Sequence, residues 1–212
     1  MKLFLASSID KTLPLLLPRL PKAANETKVV FVANAADPYK DKWWVDLDRQ
    51  AFKKAGFQLS EVDFREVSKD DFIKVLNSAN ILHVGGGLVL YFLSLVRKKG
   101  IDEVIKNYVR NDRIIYTGTS AGSIIAAESV ELYRYEKYDE KETEFIKDVS
   151  DFSGLGFVEF LIIPHAGNKE QDELHKDMIE HKYLSEYPAP IIFLHDNQAI
   201  WVEDGNIKII KI

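Results

Sequence analysis

The chain has 212 residues, 46% hydrophobic and 29% charged, which is ordinary globular usage and enough to bury a large core within one domain. Its net charge of −5 argues against nucleic acid as the default partner, and no apolar run is long enough to span a membrane. The absence of cysteine excludes disulfides, thiolate catalysis and cysteine-based zinc sites.

The first residues, MKLFLASSID, hold one lysine and an apolar stretch running only from Leu3 to Ala6, short of a secretory leader, so a cytoplasmic setting is expected. Residues 2–6 read as a strand, followed by a proline-interrupted helix over 11–20. Strands are predicted at 28–33, 57–62 and 81–84, with helices at 43–55, ended by Gly56, and at 70–77. Two helices follow over 88–98 and 101–111, then a strand at 113–117 and a helix opening after Gly122. Residues 131–151, dense in charge and tyrosine, read as an exposed excursion. A strand over 157–163, a polar helix over 169–186 and strands at 191–194, 199–203 and 207–210 complete the chain. Gly205-Asn206 marks the last pair as a hairpin. Strands alternating with helices imply one α/β domain, 1–212, with a doubly wound, mostly parallel sheet, helices on both faces and a C-terminal antiparallel hairpin. Sites in such sheets lie at the carboxyl ends of strands, which singles out the turns after Val84, Thr117 and Ile163.

Gly118-Thr119-Ser120-Ala121-Gly122 is G-x-S-x-G between a strand and a helix, the context in which a sharp turn displays a nucleophilic serine. The competing reading is a strand-to-helix turn whose serine merely caps. The amide of Ala121 is positioned to donate to an oxyanion, and Gly85-Gly86-Gly87, without a Walker lysine, exposes further amides for the same task. His165, in the turn after the strand ending at Ile163, is the candidate base, with His195 in "FLHDNQAI" its strongest rival. His175 and His181 fall on a polar helix and read as solvated, whereas His83 reads as structural. A metal site drawn from His165, His195 and Asp196 lacks the tight spacing that metal ligation favours, so no metal is expected.

Taken together, "FVANAADPY", "VGGG", "GTSAGSIIA", "GLGFVEFLIIPHAGN" and "DNQAIWVEDG" resemble, in that order, the dipeptidase E and cyanophycinase-like serine peptidases. The resemblance covers nearly the whole chain. It implies a fold like that of class I glutamine amidotransferases, with serine where those enzymes carry cysteine, and cleavage of short peptides by a Ser-His dyad or triad. Carried onto this chain, Ser120 is the nucleophile and His165 the base, with Gly86, Gly87 and Ala121 supplying oxyanion amides. The acidic member falls in the stretch beyond the elbow. Asp139 is the choice there, with Glu131 and Glu136 behind it and Arg134 the candidate reader of an aspartyl substrate. Leu88 stands where the family carries asparagine. A binding protein for small peptides or metabolites, supported by Leu88 and the altered acidic loop, is the alternative to a peptidase. The resemblance implies no cofactor and no nucleic-acid or membrane partner, and the chain is expected to be a monomer or homodimer. Glutamine amidotransfer fails for want of a cysteine.

Overall fold

After their leading lysine, runs such as KLFLA and KVVFV are apolar at every position rather than at alternate ones, the signature of strands covered on both faces. In the computed structural model, which describes residues 1–184 and 189–212, they form β1 (Lys2–Ala6) and β2 (Lys28–Val32). The remaining strands are β3 (Gln58–Glu61), β4 (Ile81–Val84), β5 (Ile115–Thr119), β6 (Leu161–Ile163), β7 (Ile191–Phe193), β8 (Gln198–Glu203) and β9 (Asn206–Lys211). Seven make one sheet in the order β3-β2-β4-β5-β1-β8-β9, parallel except that β8 runs antiparallel to its neighbours β1 and β9.

Alternate residues of each central strand feed two cores. Leu3, Leu5, Val30 and Val32 join one cluster, while Phe4, Ala6, Val29 and Phe31 join the other. The helices covering these faces are α1 (Ile9–Leu16), α2 (Trp43–Lys54), α3 (Lys69–Asn77), α4 (Val89–Lys98) and α5 (Ile101–Arg110). Those beyond the elbow are α6 (Ala121–Ile124), α7 (Glu140–Ile146), α8 (Lys169–Leu174) and α9 (Lys176–Leu184). Ile9, Leu13 and Phe52 of α1 and α2 pack in the second cluster; Phe72, Phe92 and Ile105 of α3, α4 and α5 pack in the first. No described helix is long and apolar enough to cross a membrane.

The doubly wound expectation holds, with differences in detail. The first helix ends at Leu16, and Pro18 continues it as a single 3-10 turn over Leu17–Arg19. The hairpin turn is made by Asp204 and Gly205, both at positive φ, so Asn206 already pairs with Glu203. The expected strand over 157–163 is reduced to β6, which pairs in parallel with β7 as a separate two-stranded sheet. The expected helix over 169–186 is two, α8 and α9, and its residues 185–186 lie outside the described residues.

Residues 131–151 are mostly exposed, as expected, but the excursion is anchored at its start. A 3-10 turn over Glu131–Tyr135 buries Leu132 and Tyr133, and the Tyr133 hydroxyl donates to the Ile162 carbonyl at 2.9 Å. Most of the segment's charges face outward, Glu136 turns in toward His175, and Tyr133 ties the segment to β6.

Candidate active site

Ser120 follows β5 directly and sits at φ 48°, ψ −112°, a conformation that costs a non-glycine residue energy and holds its side chain above the strand end. Its amide donates to the Ala6 carbonyl at 3.1 Å, which fastens the turn to β1. The two flanking glycines are needed for close approach. A Cβ on Gly118 would stand 2.4 Å from the Gly122 carbonyl, and one on Gly122 would stand 2.0 Å from the Val84 carbonyl oxygen. Both are backbone clashes that no rotamer relieves. Gly122→Ala is therefore expected to destabilise the fold by more than about 4 kcal/mol, read as loss of soluble protein or a collapsed thermal transition.

The turn after β4 closes against the same point. Gly87 has φ 145°, and a Cβ there would lie 2.1 Å from the Ala35 carbonyl oxygen, so only glycine fits. A Cβ on Gly86 would come within 3.3 Å of the Ser120 Cβ, which places the Gly86 backbone beside the serine. Among the described residues the amides of Gly86, Gly87 and Ala121 have no acceptor, while that of Leu88 is used on the Ala35 carbonyl at 2.8 Å. Free amides near a serine are the kind of donor that can hold an anionic oxygen.

The third component comes from the separate β6–β7 pair. His165, two residues beyond β6 and at φ 59°, donates from Nδ1 to Asp196 Oδ1 at 2.6 Å. Asp196 lies just beyond β7, and its other oxygen accepts from Lys11 Nζ at 2.8 Å. Ser7, fully buried at the end of β1, donates from Oγ to Asp196 Oδ1 at 2.9 Å and accepts from the His165 amide at 2.8 Å. The His165 hydrogen bond, helped by Lys11 and Ser7, outweighs partial burial and holds the Asp196 carboxyl well below the usual carboxylate range. Its ionised form thus fixes the imidazole tautomer, with Nδ1 protonated and Nε2 left as the basic nitrogen. Ser120, His165 and Asp196 line one cavity of about 770 Å³, together with Gly86 and Gly87.

The acidic residue chosen from the sequence is elsewhere employed. Asp139 caps α7: its Oδ1 accepts from the amides of Lys141 and Glu142, each at 2.8 Å, and Glu142 returns the bond to the Asp139 amide. It lines the same cavity, but the carboxylate on His165 is that of Asp196. Glu136 faces His175 at 3.4 Å, and Glu131 faces Arg134 at 3.6 Å away from the cavity. Arg134 lies over the Phe152 ring and does not line the cavity either. His175 is buried, not solvated, because Tyr133 folds over it. His83 is a core residue between Phe31 and Phe52, bonded to the Thr117 hydroxyl at 3.0 Å. His195, the rival base, is exposed with its ring against Gly167. The sequence singles out Asp196 only as a possible metal ligand beside His165, not as its acidic partner, and does not single out Ser7; both stand at carboxyl ends, after β1 and β7, where sites in open sheets lie.

A model of peptidase family S51 matches residues 3–210. An uncharacterized peptidase of Pasteurella multocida is 28% identical over 99% of this chain and 97% of its own. A Drosophila melanogaster protein named "Probable alpha-aspartyl dipeptidase" is 26% identical over 92% of this chain and 80% of its own. The crystal structure of "a Putative Peptidase E Protein from Listeria monocytogenes EGD-e" covers 100% of this chain and 98% of its own with a TM-score of 0.86 at 21% identity, a likeness of fold. With a match that runs from β1 into β9 and takes in the serine turn, the chain belongs to peptidase family S51 and is a peptidase.

Proposed function

We propose that the chain is a serine exopeptidase that hydrolyses short peptides by acyl transfer. Ser120 Oγ attacks the scissile carbonyl carbon while its proton passes to His165 Nε2. The amides of Gly86 or Gly87 and of Ala121 hold the resulting oxyanion. The imidazolium, steadied through Nδ1 by Asp196, then gives its proton to the departing amine, and water releases the acyl group by the reverse sequence. The observation that carries this reading is the 2.6 Å bond between His165 and Asp196, facing the cavity in which Ser120 sits on its strained turn. A cavity of about 770 Å³ is of small-ligand size and suits a short peptide better than a long chain.

A fluorophosphonate tests the nucleophile directly. It is expected to label the wild-type chain at Ser120, located by peptide mass spectrometry, and to leave Ser120→Ala unlabelled. Absence of labelling at high reagent concentration would favour the binding-protein alternative.

A further inference from the structure

The walls of the cavity have a charge and a chemistry that the reaction itself does not need. Seven carboxylates line it against two lysines, and no arginine does so among the described residues. Both lysines are already engaged: Lys11 with Asp196 at 2.8 Å, and Lys137 with Glu173 and Asp177 at 3.5 and 3.9 Å. Apart from Asp196, none of the cavity carboxylates has a lysine or arginine partner among the described residues. At the cavity wall, Asp48 is 2% exposed, its Oδ2 has no hydrogen-bond partner, and burial raises its carboxyl pKa against the charged form, so the negative surplus rests on the other six. Its nearest basic neighbour, His83 Nε2, is 3.7 Å away, beyond hydrogen-bond distance.

Next to the serine stands an aromatic corner. Trp44 donates from Nε1 to the Gly86 carbonyl at 3.3 Å, so its indole borders the oxyanion turn. Tyr39 and Trp43 meet Trp44 nearly at right angles, at 81° and 88°, with ring centroids 5.3 and 5.8 Å away. Trp43 is 60% exposed, an apolar ring at the cavity wall with little of the chain over it. The Tyr39 hydroxyl donates to Glu142 Oε1 at 2.5 Å, which sets a carboxylate at the edge of the corner. Ring faces at right angles with a carboxylate beside them attract a cation, through the ring quadrupoles and the charge together.

Resting on the peptidase reading, we infer that this corner selects peptides whose N-terminal residue is basic, its side-chain cation seated among Tyr39, Trp43, Trp44 and Glu142. An aspartyl side chain, the residue in the Drosophila relative's name, would enter a surplus of negative charge with no unpaired lysine or arginine among the described residues of the cavity wall to meet it. Like-charge juxtaposition acts against the wrong partner as strongly as attraction acts for the right one.

The test compares Lys-Leu, Ala-Leu and Asp-Leu, which share a leaving residue. We expect kcat/KM to fall in that order, with at least about tenfold between the lysyl and aspartyl peptides. Glu142→Gln removes the charge while its one carbonyl oxygen still accepts from the Asp139 amide in the capping box, and its NH2 can donate to the Tyr39 oxygen in place of the bond that Tyr39 now gives. It is expected to narrow the lysyl-to-alanyl ratio. Calorimetric binding of the same peptides to Ser120→Ala should follow the same order without turnover. Hydrolysis or binding of Asp-Leu at or above the level of Ala-Leu, or no advantage of Lys-Leu over Ala-Leu, overturns the inference. If none of the peptides is hydrolysed, the exopeptidase reading falls, and the binding order on Ser120→Ala still decides the charge selection.

Discussion

Ser120→Ala is expected to lower turnover of short peptides by about 10⁶-fold, the scale on which removing a nucleophile leaves only the contribution of binding and oxyanion amides. His165→Ala should be damaging to a similar degree, and the double variant little worse than either, because a nucleophile without its base and a base without its nucleophile are both idle. Single-turnover assays on the three variants measure this. Independent, additive losses would mean that the two side chains do not work as a pair. His195→Ala serves as the control: exposed and outside the cavity, it should change turnover only mildly.

Asp196→Asn is the second large effect. An asparagine there can accept from Nδ1 only by competing with its own amide, which favours the other tautomer and puts the proton on the nitrogen that must take one. Turnover is expected to fall by up to about 10⁴-fold, while fluorophosphonate reaction at Ser120 slows without changing site. Asp139→Asn, which preserves a good helix cap, should leave turnover of uncharged peptides within a few-fold. Full activity in Asp196→Asn together with loss in Asp139→Asn would reverse the assignment. The same carboxylate links the site to acid stability. Its pKa is depressed in the folded chain, so its stabilising contribution is complete above the unfolded value near 3.9 and drains away as pH falls through the folded one. The stability gap between wild type and Asp196→Asn should accordingly be present at neutral pH and shrink below about pH 4.

What the sequence made legible was what is local. Apolar runs bounded by glycine located the central strands, and the serine turn announced itself because two close backbone approaches leave no choice but glycine at 118 and 122. The acidic partner is not local. Asp196 reaches His165 only because β6 and β7 pair side by side, a tertiary event that no spacing between residues 165 and 196 encodes. Charge density misled twice in the 131–151 stretch. It suggested solvent where Tyr133 is buried, and it suggested an abundance of free acids where Asp139 is spent on a helix end and Glu131 on an arginine. Ser7 was hidden for a different reason, since nothing in a lone serine after a strand reveals that its hydroxyl will join two carboxyl ends.

That joint has a thermodynamic corollary. The serine turn is carried by the seven-stranded sheet, but the histidine and its aspartate ride on a ribbon that, among the described residues, shares no ladder hydrogen bond with that sheet. Side-chain packing, the Tyr133 hydroxyl, Ser7 and Lys11 fasten the ribbon in place. Proteins open in cooperative units whose free energies range below that of global unfolding, and a ribbon fastened in this way is such a unit. Amide protons of residues 161–166 and 191–196 should exchange with solvent deuterium sooner than those of β4 and β5. Mild heat or denaturant should silence the peptidase while its circular dichroism is still that of the native chain.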